Sequence, residues 1–253
     1  MMLKIVVCMK AVPEYVDSVA VLQGKNRAQC ETTGLFMNES DEYAVEQAVA
    51  LKKQYGGEIT LVTLGPLASQ DALYKGLAKG TDNAIRIDAD IIDPNSISDV
   101  LAEVLRGKEY DLILTGVESS DTMASQVGIS VAVKLGVPFA YAVTQVSYEE
   151  GRKFRIVKEL GGGAGQVMEI LAPALLCIQS GGVPRTYVSS QRVFKARSRP
   201  IESISLEDMG LRVEEEMKLV DIFLPKAKHQ VEFIQGPPSE AAAELIQKIR
   251  KGL

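Results

Sequence analysis

Residues 116–128 have the side chains and spacing best suited to hold an anionic ligand. They follow a short apolar run, residues 111–115, and supply hydroxyls, an amide and the free N–H groups of a predicted helix start. Such a helix start can bind a phosphate without a lysine. Ser, Thr and Asp also cap ordinary helices, so the pattern leaves both interpretations open. The segment matches neither a Walker A loop nor G-x-G-x-x-G.

A second polar cluster, residues 38–42, opens another predicted helix. Its acidic first turn would repel a phosphate, so a nucleotide bound here would present its uncharged base or ribose. The alternative is that Ser40 is a plain N-cap whose acidic neighbours favour the positive end of the helix dipole.

Residues 161–165 form a glycine-rich segment that could cradle a phosphate. They follow a predicted hairpin, and residues 166–170 have the pattern of a strand rather than of a helix. A flexible turn is therefore predicted for this segment.

The residue types that catalysis needs are sparse. The single histidine, His229, lies in a polar stretch and is predicted to be a surface residue. The three cysteines are far apart, which argues against a disulfide framework and against a transition-metal site. They are Cys8, Cys30 and Cys177. Because no nucleophile is visibly paired with a base, the sequence predicts binding or carriage of a ligand rather than catalysis.

The composition is that of a globular protein without a polyanionic partner. The chain has 253 residues and a formal net charge of -5, which does not favour nucleic acid. No apolar run reaches the roughly 18 residues of a membrane span. The N-terminal apolar run is interrupted by Lys10 and predicts a buried strand rather than a signal peptide. Together with the sparse cysteines, this makes a cytoplasmic location the expectation.

Apolar runs alternate with helix-period segments through most of the chain. The predicted strands are residues 3–9, 58–64, 84–87, 111–115 and 174–178. The predicted helices are residues 41–55, 69–79, 96–106 and 124–135. Residues 139–146 and 153–157 alternate in polarity and predict an antiparallel hairpin. This order predicts an α/β fold with a mostly parallel, doubly wound sheet.

Ligands of such sheets bind beyond the carboxyl ends of the strands, near the point where the strand order reverses. The candidate loops are therefore residues 10–16, 64–66 and 116–128.

The pattern changes after residue 183, so residues 1–183 are expected to form the α/β domain and residues 184–253 an extension. Residues 239–250 predict an amphipathic helix. Its apolar stripe consists of Ala242, Leu245, Ile246 and Ile249. A lone helix of this length is marginal in water, so the stripe must pack either on its own domain or on another chain. The pattern leaves both options open.

Several segments, taken together, resemble one protein family. They are residues 4–13 (KIVVCMKAVP), 37–48 (MNESDEYAVEQA), 64–66 (LGP), 116–128, 184–185 and 195–197. Their order and spacing resemble the β (small) subunit of electron-transfer flavoproteins over roughly residues 3–200. The resemblance implies a Rossmann-like fold of the adenine-nucleotide α-hydrolase type. It also implies a C-terminal arm that wraps a larger α subunit.

The resemblance further implies that the chain is one half of an electron carrier and not an enzyme by itself. The family's heterodimer shuttles electrons between a dehydrogenase and a quinone oxidoreductase or similar respiratory acceptor, and the α subunit holds most of its FAD. AMP is the expected nucleotide of this subunit, because residues 121–124 (DTMA) replace the Asp-Gly-Asp-Thr of bifurcating members. Residues 12–14 (VPE) point instead to those members and to a second FAD.

The matching positions imply a set of cofactor-binding residues. The base and ribose are expected at Cys8, Asn38, Glu39, Ser40, Asp41 and Leu64. The phosphate is expected at Asp121, Thr122, Met123, Ala124, Ser125, Gln126, Val127, Gly128 and Ser130. Val12 and Gly65 lie in matching segments and complete the nucleotide set, and Tyr15 matches a position beside the flavin ring.

Residues 184–196 correspond to the loop that docks on partner dehydrogenases. The expected docking residues are Pro184, Arg185, Tyr187, Ser190, Gln191 and Lys195. The family presents an exposed leucine followed by proline there, an anchor of the hot-spot kind. This chain has residues 189–192 (SSQR) instead, and an extra residue at Thr186. An ordinary acyl-CoA dehydrogenase is therefore not implied as the partner.

Two other kinds of protein share the general fold. A stand-alone ATP-binding regulator of the universal-stress type should have a G-x-x-G loop after its fourth strand and no long arm. A ligase or sulfurtransferase should have a Ser-Gly-Gly-x-Asp-Ser loop after the first strand, where residues 10–13 are KAVP. The sequence fits neither pattern.

Overall fold

The computed structural model describes residues 2–13, 19–21, 28–30, 34–214, 216–217, 220–221, 223 and 232–252. Tyr15 and His229 lie outside the described residues. The strands are β1 (Leu3–Cys8), β2 (Ala11–Pro13), β3 (Val19–Val21), β4 (Ala28–Cys30), β5 (Leu35–Met37), β6 (Gly57–Leu64), β7 (Asn83–Asp88), β8 (Leu112–Gly116), β9 (Phe139–Glu149), β10 (Lys153–Leu160), β11 (Ala164–Leu171), β12 (Ala174–Ile178) and β13 (Glu202–Ser205). The helices are α1 (Glu39–Tyr55), α2 (Gln70–Lys79), α3 (Pro94–Arg106), α4 (Val127–Leu135), α5 (Ser190–Ala196) and α6 (Pro238–Gly252).

The main sheet confirms the predicted fold class. Its strand order is β11-β10-β9-β12-β8-β1-β6-β7-β13. The pairs from β9 to β13 through the centre are parallel, while β9, β10 and β11 pair antiparallel. The chain moves outward from β1 through β6 and β7, then returns to β8 on the other side. The strand order therefore reverses between β1 and β8.

Helices cover both faces of the parallel strands. Val45 of α1 and Leu73 of α2 belong to one buried core, and Leu105 of α3 and Val131 of α4 belong to the other. Alternate residues of β1 contribute to the two cores. Burial on both faces explains why these strands are continuous apolar runs in the sequence, and it fixes their carboxyl ends along one edge of the domain.

Three helices begin two or three residues away from their predicted starts, and α3 is one of them, since it begins at Pro94 rather than at residue 96. α1 begins two residues earlier, with Asn38 rather than Ser40 at its N-cap position. α4 begins at Val127, three residues later than predicted. Met123 and Ser125 have φ angles of 48° and 52°, which a right-handed helix does not accommodate. The residues before α4 therefore form a shaped loop instead of a first helical turn.

Residues beyond 183 include two elements that the sequence analysis did not predict. β13 pairs in parallel with β7 and extends the main sheet. α5 packs on α2, with Ala196 buried and Val193 partly buried in the core that contains α1. These contacts attach the stretch from α5 to β13 to the α/β domain.

Unlike α5, α6 leaves its apolar stripe exposed. Its Leu245, Ile246 and Ile249 are 50%, 51% and 52% exposed, and they belong to neither core. Among the described residues, the apolar stripe therefore does not pack on the α/β domain. Separately, no helix in the described ranges is both long and apolar enough to cross a membrane.

Candidate functional site

A cleft opens at the carboxyl ends of β1 and β8, where the strand order reverses. The enclosed part of the cleft measures about 120 Å³, and the space is about 810 Å³ when its mouth, which opens to solvent, is included. The loops after β1, β6, β7 and β8 and the starts of α3 and α4 contribute to its walls. One end is polar and the other is apolar, so the cleft suits a ligand with two chemically different parts.

The loop between β8 and α4 forms the polar end. The hydroxyls of Ser119 and Thr122 are 2.9 Å apart, and Ser125 donates to the Glu118 carboxylate at 3.0 Å. The left-handed φ of Ser125 is followed by a right-handed residue, Gln126. Successive residues of opposite hand point their N–H groups into one concavity that suits an anion. The first amides of α4 have no acceptor inside the helix and add to this set.

Gly128 allows α4 to start close to the strands. A Cβ at this position would lie 2.5 Å from Thr115 Oγ1 and 2.7 Å from Cys177 Sγ. Only glycine avoids these contacts, so the first turn of α4 can reach the cleft, which Val127 and Gly128 line.

The apolar end comes mainly from a loop that the sequence analysis did not select. Ile91 and Ile92 follow β7, and Ile97 and Leu101 lie on the first turns of α3. Leu64 at the end of β6 faces the same space. Two adjacent isoleucines in a loop at the carboxyl end of a strand were the available signal. An apolar wall of this kind suits the faces of a purine base.

Asp41 bridges the loops on the two sides of the cleft. Its buried carboxylate accepts from the backbone amide of Lys10 at 2.8 Å and from that of Gly116 at 2.7 Å. A Cβ on Gly116 would lie 2.6 Å from both the Asp41 carboxylate and Ser40 Cβ, so this approach requires glycine. Burial raises the pKa of the Asp41 carboxyl to about 6, although the Lys10 and Gly116 amides oppose that rise.

Asn38 makes a parallel bridge. Its side-chain amide donates to Glu118 O at 2.7 Å and to Asp41 at 3.1 Å, and its side-chain oxygen accepts from the Ser120 amide at 3.1 Å. Its own backbone amide donates to Lys10 O at 2.9 Å. Asn38 is buried and all of these bonds are internal, so its side chain shapes the cleft rather than lining it.

Lys10 carries the one positive charge among the described residues that line the cleft, and it was absent from the expected site residues. Its Nζ lies 2.7 Å from Asp121 Oδ2 and 3.5 Å from Ser119 Oγ. A lysine directly after the first strand was a usable signal, but its partner lies 111 positions away in the chain.

Cys8 also lines the cleft, and it is a neutral thiol. Burial, assisted by the charge of Asp41, raises the pKa of the Cys8 thiol to about 12, so the reactive thiolate is absent at neutral pH. Over the ranges that the structure describes, no group of three or more His, Cys, Asp or Glu residues could hold a metal ion.

The structure brings about half of the expected nucleotide residues to the cleft surface. Those that line it are Cys8, Asp41, Leu64, Thr122, Ala124, Ser125, Gln126, Val127 and Gly128. Those that lie in adjoining segments without lining it are Val12, Asn38, Glu39, Ser40, Gly65, Asp121, Met123 and Ser130. Glu39 points elsewhere, because its carboxylate pairs with Arg185 at 3.2 Å.

The segment expected to dock partners is held on α1 and α2 by a buried ion pair. Lys79 Nζ lies 2.5 Å from Glu46 Oε1 and donates to Thr186 O at 2.8 Å. The Thr186 amide and hydroxyl donate to the two Glu46 oxygens at 2.7 and 3.0 Å. Thr186 is therefore fixed by three hydrogen bonds.

The outer surface of this segment is aromatic and basic. Tyr187 is 84% exposed and Phe194 is 76% exposed. Residues 184–199 contain five basic residues and no acidic one, although the whole chain has a net charge of -5. Ser190 and Gln191 lie between the two aromatic residues, at the start of α5.

Comparisons with known proteins agree on one family. The model of the electron transfer flavoprotein domain matches residues 30–209. Electron transfer flavoprotein subunit beta of Bacillus subtilis (strain 168) is 32% identical over 251 residues, which is 96% of each chain. The protein of the same name from Methylophilus methylotrophus is 34% identical over 227 residues, 85% of this chain and 86% of that one. The Homo sapiens protein of that name is 26% identical over 255 residues, 98% and 97% of the two chains.

The raised pKa of Asp41 predicts a pH-dependent stability. Because the folded-state value, about 6, lies above the ordinary value of 3.8, the folded protein binds the proton more tightly than the unfolded chain does. Stability is therefore gained as the pH falls from about 7 towards 4. The free energy of unfolding of the wild type relative to Asp41→Asn should rise by about 2–3 kcal/mol over that range.

Chemical denaturation of both proteins at several pH values measures this difference. Asp71→Asn, which removes an exposed carboxylate paired with Arg197, controls for the general effect of losing a negative charge. A difference between wild type and Asp41→Asn that stays constant with pH would contradict the prediction.

Proposed function

This chain belongs to the electron transfer flavoprotein β-subunit family, and we propose that it is the small half of a heterodimer that carries electrons between a dehydrogenase and a quinone oxidoreductase or similar acceptor. The observation that carries the proposal is the match to a subunit beta over 96% of both chains. FAD supplies the electron-carrying chemistry of this family. The chain's own tasks are to bind a nucleotide, to hold the α subunit and to present a docking surface, and none of them needs an acid, a base or a nucleophile.

The proposed nucleotide is AMP, bound in the cleft between β1 and β8. Its phosphate would accept hydrogen bonds from the β8–α4 loop and the start of α4, where Ser119, Thr122 and Ser125 also offer hydroxyls. Its base would lie against the apolar end formed by Leu64 and the isoleucines after β7. The shaped backbone at Met123 and Ser125 supports this assignment, since left-handed non-glycine residues concentrate at binding sites. Bound AMP would stabilise the fold by linkage.

Residues 1–183 are proposed to form most of the nucleotide-binding domain, and residues 184–253 to provide the docking segment and the arm, with α5 and β13 attached to the domain. The exposed stripe of α6 supports a contact with the α subunit, because an isolated helix of this length gains its stability from packing. One positive charge near the stripe, Lys248, pairs within the arm with Glu232 and Glu244.

Residues 184–196 are proposed to dock a redox partner through Tyr187 and Phe194, the exposed aromatic residues on either side of residues 189–192. Aromatic residues and arginines are common energetic centres of interfaces. The basic residues around them favour a partner with an acidic surface, since charge complementarity speeds encounter. A cytoplasmic location is also proposed, in keeping with the free, buried Cys8 and Cys177.

Nucleotides released by heat from the purified heterodimer test the main proposal. We expect one FAD and one AMP for each heterodimer. Two FAD molecules would instead identify a bifurcating type with a second flavin in this subunit. A colourless monomer that hydrolyses ATP would contradict the flavoprotein assignment and favour a stand-alone regulator.

A glycine variant links that AMP to the cleft. Gly128→Val should release most of the AMP and keep the FAD, because the new side chain collides with Thr115 and Cys177. Gly107→Ala is the matched control, since no atom lies within 4 Å of its added Cβ. Equal AMP content in the two variants would place the nucleotide elsewhere.

Charges introduced into the stripe of α6 should break the heterodimer. Leu245→Asp and Ile249→Asp each place a carboxylate on a surface proposed to be buried against the α subunit, so the affinity should fall roughly 10-fold or more. Thermal unfolding of the chain alone should not change, because the stripe packs on neither core. Gln247→Asp, also on the exposed helix, is the control. Co-purification of tagged α subunit gives the readout, and unchanged yields would exclude this contact.

A photo-crosslinking residue placed at Ser190 of the heterodimer tests the docking segment in extracts of the source cells. The expected product is a crosslink to a flavin- or iron–sulfur-containing protein, through a peptide rich in Asp and Glu. Phe194→Ala should lower its yield roughly 10-fold, and added salt should lower it further. Val133→Ala, which truncates an exposed apolar residue of α4, is the control. A crosslink to the α subunit, or one insensitive to Phe194→Ala, would overturn the assignment.

A further inference from the structure

The ion pair between Lys10 and Asp121 occupies the polar end of the cleft. Both oxygens of Asp121 approach Lys10 Nζ, at 2.7 and 2.9 Å, and Ser119 Oγ is 3.5 Å from the same nitrogen. The carboxylate thus has a cation on one side and stands on the loop whose hydroxyls and amides suit an anion. A bound phosphate would need the same neighbours, namely a cation and hydrogen-bond donors.

Lys10 starts from a fixed backbone, whereas Asp121 lies on a shaped loop. The Lys10 amide donates to Asp41 at 2.8 Å, and its carbonyl accepts from the Asn38 amide at 2.9 Å. Asp121 comes two residues before Met123, whose φ is 48°. Both charged side chains are only partly buried. The lysine is therefore anchored at its base, and the pair can exchange partners at its tip.

The charges around the cleft make this lysine decisive for an anionic ligand. Lys10 is the one cation among the described lining residues, while Asp41 and Glu118 also line the cleft and Asp121 adjoins it. A phosphate that enters without a cation would meet only carboxylates and neutral donors. A phosphate monoester carries close to two negative charges at neutral pH and has three acceptor oxygens, so it competes with a single carboxylate for an ammonium group.

We propose that Asp121 is a placeholder for the nucleotide phosphate, and that Lys10 passes from Asp121 to the phosphate when a nucleoside monophosphate binds. This inference rests on the proposed nucleotide site and changes the expected role of Asp121. Its side chain competes with the ligand, and its contribution to binding is confined to the backbone of the loop. Lys10 is the residue that distinguishes a nucleotide from a nucleoside.

The pair could instead be a structural tie that shapes the empty and the filled loop alike. The two roles predict opposite effects for the acidic partner. If Asp121 is a placeholder, its neutralisation frees Lys10 and strengthens phosphate binding. If the pair is a structural tie, neutralising either residue loosens the loop and weakens binding.

Calorimetric titration of the heterodimer, freed of AMP but still holding FAD, with AMP and with adenosine separates these roles. Lys10→Met should raise the dissociation constant of AMP roughly 10- to 100-fold and leave that of adenosine within about twofold. Lys10→Arg, which keeps the charge, should restore most of the AMP affinity. Asp121→Asn should lower the AMP dissociation constant roughly 3- to 10-fold. Glu109→Gln removes a carboxylate at the opposite end of β8 and should have no effect, which controls for net charge.

Each outcome decides one claim. AMP binding by the wild type that weakens in Asp121→Asn as much as in Lys10→Met would overturn the placeholder and leave the nucleotide site intact. Loss of adenosine binding in Lys10→Met would assign the lysine a structural role. A wild type that binds neither compound would instead refute the proposed nucleotide function. The AMP-dependent rise in unfolding temperature gives a second readout for any variant that binds too weakly for calorimetry.

Discussion

The cleft depends on the hydrogen bonds that two buried side chains at the start of α1 make to neighbouring loops. Asp41 joins the amides of Lys10 and Gly116, and Asn38 joins the Ser120 amide to the same helix start. The two loops lie on opposite sides of the point where the strand order reverses, and the sheet itself does not connect them beyond the strand ends. A buried donor left without its acceptor costs about 1–3 kcal/mol. These bonds therefore hold the loops after β1 and β8 at a fixed distance from each other.

The same helix also holds the docking segment. Five residues after Asp41, Glu46 accepts from Thr186 and pairs with Lys79, which donates to the Thr186 carbonyl. A buried ion pair is favourable only when its remaining hydrogen-bonding positions are filled, and Thr186 fills them on both charges. Asp41 and Glu46 are therefore separated by about 7.5 Å along the rigid axis of α1. α1 sets the position of the proposed docking segment relative to the cleft, and Thr186 supplies the contacts that attach the segment to the helix.

The sequence predicted the fold more completely than the site, for a physical reason. Strand periodicity and helix caps are local, so the parallel sheet, the β9–β10 hairpin and the helix end at Gly136 were accessible. The role of Asn38 was not, because a polar residue before a helix has the same pattern whether it caps the helix or bridges to another loop. Lys10 was missed because its partner is distant in sequence. β13 was missed because a short edge strand with an exposed, polar outer face lacks the apolar run of a central strand.

Two of the exposed apolar surfaces among the described residues differ in a way that suits a carrier. The stripe on α6 is aliphatic, and Lys248 beside it pairs with Glu232 and Glu244 within the arm, a composition that suits a lasting interface. The surface around Phe194 is aromatic and surrounded by basic residues without acids, a composition that speeds encounter and weakens as salt rises. A carrier must remain bound to the subunit that holds most of the flavin and must leave the protein that reduces it. The two proposed contacts, one lasting through aliphatic burial and one brief through charge, would meet these requirements with separate surfaces, so a change in redox partner would require no change in the proposed heterodimer interface.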